Sequence, residues 1–439
     1  MKKKYRIILY TSIFLLCVVA SIILVVKKSN SVYEEESKPK VVKHKSMLSM
    51  NLEQTAGSGD YKTVTQSSWP TEGYKFNAEL SKCENGSTLS WDDTKKAVIM
   101  QGNVSDKCYV YFDIWIPSIA DYCTSGTDLA TCVKNFGDQG PSVSNIYIHN
   151  SSLTNGAGDN SYRYAGANPN NFVCFGSDAS PCPIDNLYRI IGVFGENYHG
   201  ANGKQLVKLI KYDYMTTDEL GTDGDYSQTY KEWGMDSTYK GTYGDGERIG
   251  VYYWNYKATG SATNTWSTSL LNKTNLNTNF INNIGTTWAN KIATVTWKVG
   301  GNTWANIGTK TSSVAYTNEI TNPVTTNTTD NATTYSAKIG LMYVSDYGFA
   351  ASPDAWTLTM SSYNNTTATN NNWMYMGLYE WTISRSADNS DDAFGVLSDG
   401  HVNGHSVDSL NGVRASFNLE SSVSYVSGSG SMSDPIVIN

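Results

Sequence analysis

The chain has 439 residues, of which 40% are hydrophobic and only 17% charged, with 30 Tyr, 12 Trp and a net charge of −7. That apolar fraction is ample for packed cores, and the length allows two or three domains. The charge is uneven: residues 1–45 hold ten Lys/Arg and three acids, leaving 23 basic against 37 acidic residues in the remainder, so nucleic acid and anionic lipid surfaces are excluded as partners of the folded part.

Residues 7–26 (IILYTSIFLLCVVASIILVV) carry no charge and would span about 30 Å as a helix, one hydrocarbon thickness. Lys2, Lys3, Lys4 and Arg6 precede them, and Lys27 and Lys28 follow. A basic leading flank predicts a cytoplasmic tail at 1–6, a single transmembrane helix at 7–26 and an extracellular remainder. A cleaved signal peptide is the alternative and exports the same chain. Residues 27–62 are polar, include the EEE run at 34–36, lack apolar periodicity and read as a flexible stalk.

From 63 to 116 short alternating runs predict a small all-β module, with strands at Gly73–Phe76, Ser87–Trp91, Lys96–Met100 and Cys108–Phe112. Residues 117–150 read as a connector holding one short helix capped by Thr127 or Asp128. Leu187–Phe194 and Leu206–Ile210 predict strands, 215–250 a long loop or hairpins, 266–292 one or two helices, 310–335 a loop, and 337–345 another strand.

Beyond Cys17, six cysteines remain, and their spacing suggests the nearest-neighbour bridges Cys83–Cys108, Cys123–Cys132 and Cys174–Cys182 out of 15 connectivities. Disulfides fit an oxidising compartment. With no CxxC pair or Cys/His cluster, no metal is assigned. His401 and His405 lie four apart, but Gly400, Asn403 and Gly404 around them predict a hairpin rather than a helical metal pair.

The segment CENGSTLSWDDTKKAVIMQGNVSDKCYVYFD resembles small immunoglobulin-like modules of bacterial surface proteins. The stretch EWTISRSADNSDDAFGVLSDGHVNGHSVDSLNGVRASFNL, with YRYAGANPNNFVCFGSDASPCP and KIGLMYVSDYGFAASPDAW upstream, resembles an uncharacterised family of Firmicutes surface proteins. That resemblance covers 150–438. It implies an α+β C-type-lectin-like head over 151–425, closed by a tail strand within 426–439, and no established reaction. Trp381, Arg385, Asp399, Gly400, Gly412 and Arg414 are then expected to build the sheet. The flanking loops, with Ser386, Asn389, Asp391, His401, Asn403 and His405, are expected to face a ligand, because recognition sits on loops carried by a rigid scaffold. Asn168-Pro169-Asn170 and Trp91-Asp92-Asp93 echo calcium tripeptides of sugar-binding lectins but fall in different modules, so calcium is not assigned.

The expectation is therefore a membrane-anchored, non-enzymatic adhesin, without cofactor, that binds glycan or protein through aromatic contacts. The alternatives are an envelope or pilus-like scaffold subunit and an exported enzyme.

Overall fold

The computed structural model describes residues 48–439, apart from 66–67, 71, 104, 196–198, 235–237, 324–331 and 365. It divides the chain after Ile116 into two units. The structure corrects the membrane-anchored fold class. The fold is mostly β-sheet with few, short helices, and among the described residues no helix is long and apolar enough to cross a membrane. A span needs about 20 continuous helical residues, whereas the longest single helical element described, Leu271–Phe280, has ten. The tail at 1–6, the span expected at 7–26 and the stalk up to residue 47 lie outside the described residues. The single-pass localisation, with a cytoplasmic amino terminus and extracellular ectodomain, and the membrane as partner rested on that span and are withdrawn with it.

The smaller unit contains β1 (Leu48–Glu53), β2 (Tyr61–Val64), β3 (Tyr74–Cys83), β4 (Thr88–Asp92), β5 (Ala97–Gln101) and β6 (Cys108–Ile114). Four strands form a sheet in the order β2-β1-β6-β3, and β4–β5 is a separate hairpin. The β1–β6 pair is parallel, so this is not the sandwich of two antiparallel sheets that an immunoglobulin-like module requires. The stalk expectation fails at 48–62 for a related reason. Leu48, Met50 and Leu52 alternate with polar residues at strand period, and pairing with a strand 60 residues away buries both faces. Glu53 becomes tolerable inside because its carboxylate accepts from Gly59 N (3.1 Å) and Ile114 N (2.9 Å). Met50, Leu52, Val110 and Phe112 make the core. Cys83 and Cys108 are register partners across β3–β6 and are bridged.

The larger unit's first α-helix is Leu129–Gly137, after a single helical turn at Ile119–Asp121. Asp128 takes the cap by accepting from Thr131 N at 2.8 Å, and Cys132 is bridged to Cys123. The unit's strands are β7 (Ile146–Ile148), β8 (Tyr162–Tyr164), β9 (Phe172–Cys174), β10 (Leu187–Phe194), β11 (Leu206–Lys211), β12 (Tyr226–Thr229), β13 (Gly250–Tyr252), β14 (Val295–Lys298), β15 (Thr334–Ala337), β16 (Ile339–Gly340), β17 (Glu380–Arg385), β18 (Asp392–Val396), β19 (Val402–Ser406), β20 (Ser416–Asn418), β21 (Tyr425–Ser427) and β22 (Val437–Ile438). The main sheet is antiparallel, in the order β16-β20-β11-β10-β8-β7, with β9 also on β10. β10 and β11 are buried along their whole length, which is why LYRIIGVF and LVKLIK read as near-continuous apolar runs. Three-stranded β17-β18-β19 and three two-stranded pairs complete the unit.

The α+β lectin-like expectation is corrected here too, since short helices fill the gaps between small sheets. The expected helices at 266–292 form, the first with the wide i→i+5 turn. The expected loop after 310 instead holds helical turns at Ser312–Tyr316 and Thr317–Thr321, because Ala315, Tyr316 and Ile320 are buried there. Cys174 and Cys182 are bridged, so all three nearest-neighbour pairs are present.

Candidate functional site

Within the larger unit, a cleft of about 600 Å³ opens between the 167–172 loop, β10, Tyr212, Lys240, the 369–376 loop and the 431–433 turn. Its most informative residue is Arg189, the one charge in the apolar strand β10. The guanidinium is 4% exposed and sits between the rings of Phe172 (4.4 Å) and Trp373 (4.6 Å). Its Nε donates to Asn171 Oδ1 (2.7 Å), Nη1 to the Trp373 carbonyl (3.3 Å), and Nη2 to the Pro169 carbonyl (2.9 Å) and Asn168 Oδ1 (3.5 Å). Four bonds occupy four of the five guanidinium N–H groups, leaving one on Nη1. None of the four acceptors carries a charge. Burial pulls the pKa down to about 9, so the group stays a cation at neutral pH.

Other buried cations of this unit, Arg163, Lys208 and Arg414 among them, are paired with acids. Arg414 pairs with Glu380 (Nε–Oε1 2.7 Å, Nη2–Oε2 2.9 Å) and donates to the Met374 carbonyl (2.6 Å). Arg163 bonds Asp159 (2.9 Å), which also accepts from Tyr316 (2.8 Å) and contacts His199 (2.9 Å). Lys208 pairs with Asp346 at 2.5 Å. Arg189 and Arg414 thus hold adjacent carbonyls of one loop, those of Trp373 and Met374, yet only Arg414 has an acid.

The cleft walls are rigidly placed. Trp373 Nε1 donates to the Tyr164 carbonyl (2.9 Å), and Asn372 is tied to the Tyr347 carbonyl (2.9 Å). Phe172 packs edge-on against Tyr212 at 5.2 Å, and its amide donates to the Gly430 carbonyl (2.8 Å), fastening the 429–434 turn beside the cleft. At the rim Lys240 lies 4.3 Å over the Tyr375 ring, its pKa lowered by burial. Among the described residues no carboxylate, imidazole or thiol lines this cleft.

The residues expected to meet a ligand lie elsewhere, and none lines the cleft. Ser386 is buried; its hydroxyl donates to Asp388 (2.8 Å) and accepts from Asn389 N (3.1 Å). Asn389 and Asp391 belong to the same β17–β18 connection, where Asn264 Nδ2 clamps the carbonyls of Ser386, Asn389 and Asp392 (2.9, 2.8 and 2.8 Å). His401, Asn403 and His405 alternate along the β19 hairpin. His401 Nδ1 contacts Asp399 at 2.6 Å, Asn403 is exposed, and burial together with the neighbouring His401 lowers the pKa of His405. Among the described residues no group of three or more His, Cys, Asp or Glu is placed to hold a metal ion.

The sheet-building residues are placed as supports. Trp381 Nε1 donates to the Tyr252 carbonyl (2.8 Å) and Arg385 Nε to the Val299 carbonyl (2.6 Å). A Cβ on Gly412 would come within 2.7 Å of the Tyr214 ring. Gly400, at φ +98°, turns the β18–β19 hairpin against Thr369 and lets Tyr347 donate to its carbonyl (2.7 Å), so this hairpin backs a cleft wall. Arg189, Trp373 and Lys240 escaped the sequence reading, although a lone arginine inside LYRIIGVF was a signal: a buried charge must be held by something. No family model, curated protein or solved structure matches the chain.

Proposed function

We propose that this is a non-enzymatic binding protein of the adhesin type, and that the cleft around Arg189 takes a carboxylate-bearing saccharide. The observation that carries the reading is a buried guanidinium with no acid partner among the described residues, at a cleft lined by aromatic rings and amides. A ligand carboxylate supplies the missing counter-charge through the remaining Nη1 N–H, with Lys240 at the rim. The half-buried Tyr212 offers a ring for the sugar, and Asn168 and Asn170 offer amide donors and acceptors for its hydroxyls. Binding rather than turnover fits a lining that, among the described residues, places no carboxylate or imidazole beside the Ser431, Ser433 and Tyr212 hydroxyls to activate them. Membership of the Firmicutes surface-protein family stays part of this proposal, and the disulfides suit an oxidising environment.

The test is calorimetric titration of the full chain with digalacturonate, a glucuronate-containing disaccharide and sialyllactose, each beside its methyl ester. The expected result is saturable binding of at least one acid form, about tenfold tighter than its ester, weakened in Lys240→Ala. Equal affinity for acid and ester, or silence across the acids, would sink the reading. Silence would favour the scaffold alternative.

A further inference from the structure

The smaller unit has a cleft of its own, about 390 Å³, where the β4–β5 hairpin lies over the sheet. Tyr74, Phe76, Trp91 and Trp115 line it, all only half-buried, and the hairpin turn places Asp93 and Lys96 at its rim. The volume lies within the range of small-ligand sites. Two stranded layers of unequal size explain the opening: a two-stranded hairpin cannot cover a four-stranded sheet, so aromatic side chains along the uncovered part stay accessible.

The arrangement has a polar edge built into an aromatic platform. Trp91 is braced edge-on against Phe112 (5.7 Å), and its Nε1 donates to Asp93 Oδ1 at 2.9 Å, which holds the indole in one orientation. The same carboxylate oxygen lies 3.5 Å from Lys96 Nζ. Next to the ring there is thus one acceptor and one donor at a spacing that adjacent hydroxyls can satisfy, one donating to Asp93 and the other accepting from Lys96. Lys96 occupies the left-handed region at φ +47°, a position that glycine or asparagine fills at lower cost. The turn is fixed around it: Asp92 Oδ1 accepts from Thr94 N and Lys95 N, both at 3.0 Å. Strain of this kind is retained where the side chain is wanted. Trp115 adds a buried Nε1 donor with no partner among the described residues. Lys75, also at the rim, is itself partnered.

From this juxtaposition we infer that the smaller unit carries a second binding site, for a neutral saccharide presenting a vicinal diol: the sugar face stacks on Trp91 and the diol bridges Asp93 and Lys96. A neutral ligand suits a rim that offers both signs of charge side by side, in contrast to the cationic cleft of the larger unit. The inference stands independently of the function proposed for that cleft.

The experiment is titration of the full chain with cellobiose, lactose and N,N′-diacetylchitobiose, followed by calorimetry and tryptophan emission. At least one disaccharide is expected to bind saturably with a change in indole emission. Affinity should fall about tenfold in Trp91→Ala and in Asp93→Ala, while Lys240→Ala leaves it unchanged. Asp93 lies in an exposed turn, so Asp93→Ala and Lys96→Ala keep the test open should Trp91→Ala fail to fold. The inference is overturned if no neutral disaccharide binds, if binding survives Asp93→Ala and Lys96→Ala at full strength, or if a proline-rich peptide perturbs these indoles where sugars do not.

Discussion

Glu319 shows how a single residue can be both fully buried and chemically poised. Its carboxylate accepts from Ser384 Oγ (2.6 Å), Val344 N (3.2 Å) and Ser345 N (3.1 Å), capping the helix Val344–Ala350 from another segment. These donors favour the ionised form, yet burial outweighs them and raises the pKa from 4.5 to about 7. A folded-state value above the unfolded one means that the native protein binds the extra proton between those limits. The associated stability is therefore complete below about pH 4.5 and lost as pH rises through 7. The buried histidines His149 and His199, whose pKa values are lowered by burial, oppose this slope, so the prediction concerns a difference between two proteins. Relative to Glu319→Gln, the wild-type protein should lose on the order of 2–3 kcal/mol between pH 4.5 and 8, read from denaturant midpoints across that range. A pH-independent difference would contradict the assignment. Arg189 is the complementary case: legible as an oddity in LYRIIGVF, but the lack of an acid beside it depends on what the fold gathers there.

At the scale of elements, local signals were reliable where the partner was near in sequence. Thr127 or Asp128 was expected to cap the helix that forms at Leu129–Gly137, and Asp128 does; nearest-neighbour cysteines found each other across 8, 9 and 25 residues. The Cys174–Cys182 bridge closes a short loop directly after β9, the strand whose Phe172 forms a face of the cleft. Replacing both cysteines by serine should cost roughly 2–3 kcal/mol of stability under the chain-entropy account. Chemical denaturation of the unreduced proteins checks this, and an unchanged midpoint would mean that β9 is held without the bridge, by its pairing with β10 and its hydrogen bonds to Ile436 (Cys174 N to Ile436 O 2.9 Å, Ile436 N to Phe172 O 2.8 Å). The reading failed where pairing was distant. β1 looked like linker because its value lies in a parallel partner at Cys108–Phe112. In the β17–β18 connection Asp391 is exposed as expected, but Ser386 is buried, and nothing nearby announces the clamp from Asn264.

For the molecule as a whole, a ligand that binds the folded larger unit must stabilise it by mass action. A carboxylate saccharide present at about one hundred times its dissociation constant should add about 2.7 kcal/mol, visible as a rise in melting temperature that Lys240→Ala diminishes. Added salt should shrink that rise, because the proposed attraction includes a rim-exposed lysine. An equal rise with the methyl ester would remove the charge from the explanation. What residue order alone determined was composition-level and short-range: a β-rich chain, three neighbouring disulfides, the buried central strands and a helix capped at Thr127 or Asp128, all consequences of spacing along one backbone. The membrane-anchored, lectin-like architecture drawn from an apolar run and a likeness did not survive. Only the tertiary structure decided the parallel closure of the smaller unit, the burial of Ser386 and the assembly of both clefts. Each depends on segments tens to hundreds of residues apart, and the free energy of a contact between them resides in neither segment by itself.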